Sequence, residues 1–308
     1  MAITAPTVQS PLDQFDPTTL AALGSLELKA RYFVEGFLHG IHPSPYHGFS
    51  VEFSEYRDYQ PGDDLRHLDW RVYARSDRLV VKKFEAETNT SIYLLCDTSG
   101  SMAYGGRLAW STKHGCMQML AAALGWLMLH QNDAVGLLAL ESDGDGSIYL
   151  PPSQKPNQFS LLLQHLERIE PAGGERLAKL LRRTEQVVRR RSILVLLTDL
   201  LEPAADLAEL WKELRFRGHE CLVFQIPDRD ELEFPFEDAS IFEDLETAAR
   251  HRVSPQAART RYLERFQAFM NEHTEQLHNL EIPYVLVRTD GNPWDALAQY
   301  LIERKQLV

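Results

Sequence analysis

Three oxygen-bearing side chains alternate along a short segment that contains a glycine. Asp97, Ser99 and Ser101 occupy the first, third and fifth positions of the sequence DTSGS, directly after the apolar run Ser91–Cys96. Carboxylate and hydroxyl oxygens are ligands that Mg²⁺ accepts, and because this ion keeps several waters, few protein ligands suffice. Taken alone, the same residue types are more typical of a turn or a helix cap. The segment is therefore a candidate cation site that needs support from elsewhere in the chain.

A second carboxylate supports the hypothesis of a metal site. Asp199 follows the apolar run Ser192–Leu197, just as Asp97 follows Ser91–Cys96. In a doubly wound sheet the first and fourth strands are neighbours, and ligands bind at the carboxyl ends of strands where the strand order reverses. If the run Ser147–Leu150 is a hairpin strand and is counted as the third, then Ser91–Cys96 and Ser192–Leu197 are the first and fourth strands. The topology then predicts that Asp97 and Asp199 meet at one site.

Short apolar runs alternate with amphipathic segments from residue 89 onward. The runs expected to form strands are Ser91–Cys96, Ala134–Leu140, Ser147–Leu150, Ser192–Leu197, Cys221–Ile226 and Pro283–Val287. Helices are expected between these strands. The first has Leu108 and Cys116 on one face, and the others lie at about 157–169, at about 175–190 and through Leu207 to Leu214. This alternation predicts an α/β fold, Rossmann-like, with a mostly parallel central sheet and helices on both faces.

The long helix expected before the last strand has a regular apolar pattern. Its apolar positions recur every three or four residues, which predicts one buried stripe. The stripe consists of Leu263, Phe266, Met270, His273, Leu277 and Leu280. On such a stripe, His273 is expected to be a core or boundary residue and not a metal ligand.

Two regions of the chain differ in composition. Residues 1–88 are rich in charge, aromatic residues and turn formers, whereas residues 89–308 carry the alternating strands and helices. The chain has 308 residues, of which 44% are hydrophobic and 25% charged, and this length allows one elaborated domain or two. We therefore expect an N-terminal region over 1–88 that packs on a Rossmann-like domain over 89–308.

Charge and hydropathy disfavour several classes of protein. Asp and Glu outnumber Lys and Arg by 44 to 32, and the net charge of −12 disfavours nucleic-acid binding. The longest nearly continuous apolar run, Met119–Leu129, is shorter than a membrane span, and the N-terminal segment lacks the features of a secretory signal. Cys96, Cys116 and Cys221 are widely spaced and form no CxxC motif. These features predict a reduced, cytoplasmic protein with no membrane span.

Several motifs together resemble a known family. The DTSGS loop with Asp199 resembles the metal-ion-dependent adhesion site of von Willebrand factor A-like domains. The stretch VEFSEYRDYQPGDDLRHLDWRVYARSDRLVVKKFEAE (Val51 to Glu87) closely resembles the signature of the von Willebrand A-like "domain of unknown function 58" family. The resemblance continues through ELEFPFEDASIFEDLET (Glu231 to Thr247) and YVLVRTD (Tyr284 to Asp290). It implies a von Willebrand factor A-type fold and a protein-binding face that depends on a metal. Since genes of this family typically lie beside those of MoxR-type AAA+ ATPases, it also implies a shared role in assembling or remodelling other proteins.

The resemblance assigns metal ligands residue by residue. Asp97, Ser99 and Ser101 match the first metal loop, and Asp199 matches the third. The second loop departs from the pattern, because PAGG leads into Glu175 where these domains usually have Thr. Glu175 could ligate a metal, or it could be a carboxylate favoured by the start of a helix, so we do not count it among the expected ligands.

Two functions remain as hypotheses. In the first, the chain is a non-enzymatic interaction module. It binds a divalent cation such as Mg²⁺, and one coordination position of this cation is open for an acidic group of a partner. In the second, Asp97 is the nucleophile of a Mg²⁺-dependent phosphohydrolase. That alternative resembles the haloacid-dehalogenase pattern DxDxT, but Ser99 stands at its second carboxylate position.

Three further segments have open interpretations. Tyr56 to Arg71 alternates acids and arginines around aromatic residues, which is typical of a structural salt-bridge network or of a docking surface. His39, His42 and His47 match no zinc motif and are expected to be ordinary loop residues. Residues 228–246 contain nine acids and one basic residue around three phenylalanines. This segment is expected to be a solvated hairpin with an aromatic edge, with an acidic docking lobe as the alternative.

Overall fold

The computed structural model describes residues 23–40, 55–58, 72, 75, 78, 80–83, 91–142, 146–174, 176–238, 240–293, 295 and 298. The chain divides into two compact units, of which the smaller comprises His42–Asn89. In that unit β1 (Glu55–Asp58) pairs with β2 (Val80–Lys83) in an antiparallel ladder. Most of the segment from Tyr56 to Arg71, His42, His47 and the side chain of His39 lie outside the described residues. The predicted boundary at residue 88 and the packing of 1–88 on the larger domain stay predictions.

A six-stranded sheet forms the centre of the larger unit. Its strands are β3 (Ser91–Cys96), β4 (Ala134–Leu140), β5 (Ser147–Ser153), β6 (Ser192–Thr198), β7 (Glu220–Gln225) and, after an intervening hairpin, β10 (Tyr284–Leu286). Their order is β10-β7-β6-β3-β4-β5, and β5 is the only antiparallel strand among these six. Every strand predicted after residue 89 is present, and β3 is hydrogen-bonded to β6, as the doubly wound topology predicted.

Helices cover both faces of the sheet. In chain order they are α1 (Leu26–Gly40), α2 (Lys113–His130), α3 (Gln158–Glu167), α4 (Leu177–Val187), α5 (Ala204–Phe216), α6 (Arg229–Glu233) and α7 (Pro255–Asn279). The mostly parallel α/β fold class is thereby confirmed. The expectation that Leu108 lies on the first of the predicted helices was wrong. Helix α2 begins only at Lys113, where the Thr112 side chain accepts a hydrogen bond from the Gly115 backbone N–H, and Leu108 is 61% exposed.

The core consists of two clusters, one on each face of the sheet. Because successive side chains of a strand point to opposite faces, Ile92 and Leu94 lie in one cluster, with α1, α2 and α3. Tyr93 and Leu95 lie in the other, with α4 and α5. Burial on both faces explains why the parallel strands appear in the sequence as continuous apolar runs.

A hairpin lies between the sheet strand β7 and helix α7. It consists of β8 (Ser240–Glu243) and β9 (Arg250–Val253), which pair in antiparallel register. Phe234, Phe236 and Phe242 pack together, with centroid distances of 5.0–5.7 Å, and Tyr262 of α7 contacts Phe234. The hairpin predicted over 228–246 is therefore present only in part: its aromatic edge is there, but residues 229–233 form helix α6 and the hairpin strands lie at Ser240–Glu243 and Arg250–Val253.

Helix α7 departs from its predicted burial. Met270, His273 and Leu277 are buried, and the His273 Nε2 atom lies 2.9 Å from the Glu202 carbonyl oxygen, as expected for a core residue. Leu263 and Phe266 are only half-buried. The regular spacing predicted one buried stripe along the whole helix, but among its stripe residues only Met270, His273 and Leu277, in the second half, are fully buried.

The two edges of the central sheet differ in sequence. At one edge, β5 contains the consecutive prolines Pro151 and Pro152, and its pairing with β4 is shifted between Val135 and Leu137. At the other edge, β10 has only three residues.

Among the helices in the described ranges, none combines the length and the apolar character needed to cross a membrane.

Candidate functional site

The four predicted ligands lie together at the carboxyl end of the sheet. Asp97 follows β3 and Asp199 follows β6, and since these parallel strands are neighbours, their ends open onto one cavity of about 620 Å³. Ser99 and Ser101 line the same cavity. All four residues are at most 9% exposed. The structure thus places the four predicted residues in one site, while their role as metal ligands stays a prediction.

The Asp97 carboxylate is held on both of its oxygens. Its Oδ1 atom accepts a hydrogen bond from the Ser99 backbone N–H at 2.9 Å, and its Oδ2 atom accepts one from the Thr198 hydroxyl at 2.5 Å. Burial and then the charge of Asp199 raise the pKa of Asp97 to about 7, although these hydrogen bonds act in the opposite direction. A positive charge close to Asp97 would therefore stabilise its ionised form.

A buried lysine neutralises the second aspartate. The Lys113 ammonium lies 2.7 Å from Asp199 Oδ2 and 2.6 Å from Glu231 Oε1, and its side chain is fully buried. Burial alone lowers the pKa of Lys113, but the two carboxylates outweigh burial, and the pKa lies above its ordinary value. The sequence patterns did not identify this residue. The available signal was a single cation in the first turn of an otherwise apolar helix.

The second loop of the site contacts the first. The Ala172 backbone N–H donates to the Thr98 carbonyl oxygen at 2.8 Å, and Ser99 and Ala172 form a parallel bridge. Gly174 has a φ of +99°, a conformation that favours glycine. Glu175 lies outside the described residues, so its two interpretations both stay open.

Arg176 fixes the base of these loops. Its guanidinium donates to the carbonyl oxygens of Glu141 and Ser142, at 2.7 Å each, and to the Thr98 hydroxyl at 3.3 Å. The residue is 6% exposed. These acceptors are neutral, and among the described residues Arg176 forms no ion pair, so it brings a positive charge close to the DTSGS loop.

The hairpin supplies a further carboxylate that the sequence did not identify. Glu246, in the turn between β8 and β9, accepts hydrogen bonds from the backbone N–H groups of Ser101 at 2.8 Å and Gly100 at 3.0 Å. A Cβ atom at Gly100 would overlap the Leu245 carbonyl oxygen, and one at Gly173 would lie 2.7 Å from the Glu246 carbonyl oxygen. The two glycines therefore allow the turn to lie directly against the candidate site.

The donor set fits a small, hard cation. All four predicted ligands offer oxygen, and the Ser101 hydroxyl lies 3.2 Å from the Ser99 hydroxyl, so both can face one ion. In the described parts of the chain, no group of three or more His, Cys, Asp or Glu residues surrounds a common point. A cation would therefore depend on the serine hydroxyls as well as on carboxylates. This chemistry suits Mg²⁺, which accepts neutral oxygens and water.

The contact of Glu246 with the DTSGS loop leads to a first prediction. Glu246→Gln removes the charge that strengthens both hydrogen bonds to the loop, a loss of about 1–2 kcal/mol. Amide hydrogen exchange at Gly100 and Ser101 should then accelerate by roughly 5- to 30-fold. Glu243→Gln is the control, because Glu243 lies on the same hairpin and pairs with exposed Arg250. Equal exchange rates in wild type and Glu246→Gln would show that the contact does not protect the loop.

The strand order, the single antiparallel edge strand and the polar loops at the ends of β3 and β6 define a von Willebrand factor A-like domain. The family described as "Protein of unknown function DUF58" matches residues 55–276. The match covers most of the chain, and the protein belongs to this family.

Several known proteins are similar to this chain. An uncharacterized protein of Mycobacterium tuberculosis is 27% identical over 295 residues, which cover 94% of this chain and 91% of that protein. Among solved structures, BatB from Bacteroides thetaiotaomicron is 16% identical with a TM-score of 0.45, and the match covers 70% of this chain and 97% of that chain. The SpRpn10 VWA domain is 11% identical with a TM-score of 0.39, over 68% of this chain and 94% of that one.

Proposed function

We propose that this protein is a non-enzymatic interaction module whose contact with a partner depends on a divalent cation, Mg²⁺ in the first instance. The von Willebrand factor A-like fold is often used in protein interactions. The single observation that carries the proposal is the convergence of Asp97, Ser99, Ser101 and Asp199 in one cavity. In this proposal these residues hold the cation, and the cation supplies a positive charge to which an acidic group of the partner binds.

The charges around the site support this role for its residues. Ser99 and Ser101 would contribute neutral oxygens, while Lys113 already offsets the charge of Asp199. Of the four ligands, Asp97 alone would carry a charge that Lys113 does not offset, so a bound cation would retain attraction for an external carboxylate, for which the other carboxylates lining the cavity would compete. Glu246 lies in the same cavity, so an acidic group of the partner has to compete with it. Glu246→Gln should accordingly strengthen partner binding.

We propose a MoxR-type AAA+ ATPase as the partner, with a role in the assembly or remodelling of other proteins. The support is the resemblance of the sequence to its family, because genes of this family typically lie beside genes of such ATPases. We also propose a cytoplasmic location, which agrees with three buried free thiols, Cys96, Cys116 and Cys221.

A phosphohydrolase that uses Asp97 is not part of the proposal. The haloacid-dehalogenase pattern DxDxT has a second carboxylate, and Ser99 stands at that position in this chain. No specific observation favours that reaction.

The proposal is tested by binding of the purified full-length chain to the MoxR-type ATPase encoded nearest to it. We expect association in Mg²⁺ that is lost in EDTA, that returns when Mg²⁺ is restored and that is absent for Asp97→Ala. Asp206→Ala is the matched control, because Asp206 is exposed in the first turn of α5. Association of equal strength in EDTA and with Asp97→Ala would contradict metal dependence, and failure to associate under all conditions would contradict the choice of partner.

A further inference from the structure

The first half of helix α7 has an apolar face that the rest of the larger unit does not fully bury. The buried residues of this helix are Pro255, Met270, His273 and Leu277, so none between 256 and 269 is fully buried. Aromatic side chains nevertheless line this half. Tyr262 stacks on Phe266 with ring centroids 5.6 Å apart, and Phe266 lies 6.5 Å from Phe269. The three rings form a continuous half-buried apolar strip.

Arginines border this strip. The strip lies in a groove of about 790 Å³ between strand β9 and the start of α7, which we call the arginine groove. Its lining residues are Arg252, Val253, Ser254, Ala257, Ala258, Arg261, Tyr262, Arg265, Phe266 and Phe269. Among the described residues that line the groove, three are arginines and none is acidic. The groove is therefore positively charged, in a chain whose net charge is −12.

The arginines of the groove differ from other arginines nearby. Arg250 pairs with Glu243, and Arg288 pairs with Glu233 and Asp290. Arg252, Arg261 and Arg265 are exposed, and within the described residues none of the three is in an ion pair. A guanidinium group offers a planar set of donors that matches a carboxylate. Three such groups beside an apolar strip are complementary to a ligand with both acidic and apolar side chains.

We propose that the arginine groove binds an acidic segment of a partner protein that also carries aromatic or aliphatic residues. The carboxylates of this segment pair with Arg252, Arg261 and Arg265, and its apolar side chains cover the ring strip. Aromatic and arginine side chains are the types that dominate binding energy at protein interfaces. This surface is distinct from the candidate cation site, because Tyr262 is the one residue that the two share among the described lining residues. Its binding should need no metal.

The test is selection of random peptides displayed on phage with the full-length protein, followed by affinity measurement of the selected peptides. The selection is made in EDTA on the Asp97→Ala variant, so that acidic peptides cannot be retained through a cation. We expect enrichment of peptides that combine Asp or Glu with aromatic or aliphatic residues. The double variant Arg261→Glu, Arg265→Glu should lower their affinity by at least about tenfold.

The control variant, Arg189→Glu with Arg190→Glu, has the same change in charge at two exposed positions elsewhere and should bind the peptides like its parent. Phe266→Ala, which keeps the charge, should also weaken binding. Selection of peptides with no acidic excess, or equal affinity for both double variants, would overturn the proposal. Two other results would overturn it in favour of another occupant. One is preferential binding of single-stranded RNA that is lost in the Arg261→Glu, Arg265→Glu variant, and the other is self-association that the same variant abolishes.

Discussion

Lys113→Met should destabilise the protein by about 3–5 kcal/mol, because it leaves the buried carboxylates of Asp199 and Glu231 without their shared counter-charge. Methionine has a similar length, so loss of packing contributes little. For a chain of this size the melting temperature should fall by on the order of 10 °C. The measurement is chemical denaturation at neutral pH, with thermal unfolding as a second readout.

Two further variants separate the loss of the charge pair from a general effect of removing a lysine. Lys212→Met breaks an exposed ion pair with Glu209 and should cost less than about 1 kcal/mol. Adding Glu231→Gln to Lys113→Met removes one of the two unpaired carboxylates and should restore part of the lost stability. If Lys113→Met and Lys212→Met are equally stable, the Lys113 ammonium does not offset the charges of Asp199 and Glu231.

Saturating Mg²⁺ should raise the unfolding free energy of the wild type and leave Asp97→Asn unchanged. At about 100 times the dissociation constant, a ligand that binds only the native state adds about 2.7 kcal/mol, which corresponds to a few degrees in melting temperature. Asparagine keeps the shape of Asp97 but removes its charge. The measurement is thermal unfolding of both proteins in excess Mg²⁺ and in EDTA, with Asp206→Asn as the control at an exposed position.

The response should also depend on pH. The pKa of Asp97 is raised to about 7, so ionising this residue above pH 7 costs stability that the metal-free protein regains as pH falls below 7. In EDTA, Asp97→Asn should therefore be more stable than the wild type at pH 8, and the difference should shrink toward pH 5. The gain from Mg²⁺ should decline over the same range, since protons compete with the cation. A Mg²⁺ response that survives in Asp97→Asn would place the cation elsewhere.

The sequence was sufficient to predict where Asp97 and Asp199 meet. Buried parallel strands produce continuous apolar runs, and β3 and β6 are both of this kind. Once β5 was counted as a hairpin strand, the doubly wound rule placed β3 beside β6. The rest of the site could not be predicted in this way. Lys113 and Glu246 reach the site from a helix start and a hairpin turn, and tertiary packing alone determines those positions.

The burial of α7 shows the same limit. Leu263 and Phe266 have the spacing of a buried stripe. Spacing alone, however, does not show which part of a helix the rest of the domain covers. The strands and helices follow from local patterns and strand-order rules. The lysine at the site, the Glu246 contact and the half-buried strip on α7 depend on how distant parts of the chain pack together.

The edges of the central sheet restrict how this protein can meet others. Many proteins recruit an extended peptide by adding it to a sheet as a new strand, which requires free N–H groups along an edge. Pro151 and Pro152 have no N–H to donate at the β5 edge, and β10 offers only three residues at the other. In the part of the chain that the structure describes, this sheet is thus poorly suited to growth by β-addition, whether by a partner or by further copies of the protein. Recognition around this sheet would instead use side chains on loops and helices, and the same edges protect the sheet itself against edge-to-edge aggregation.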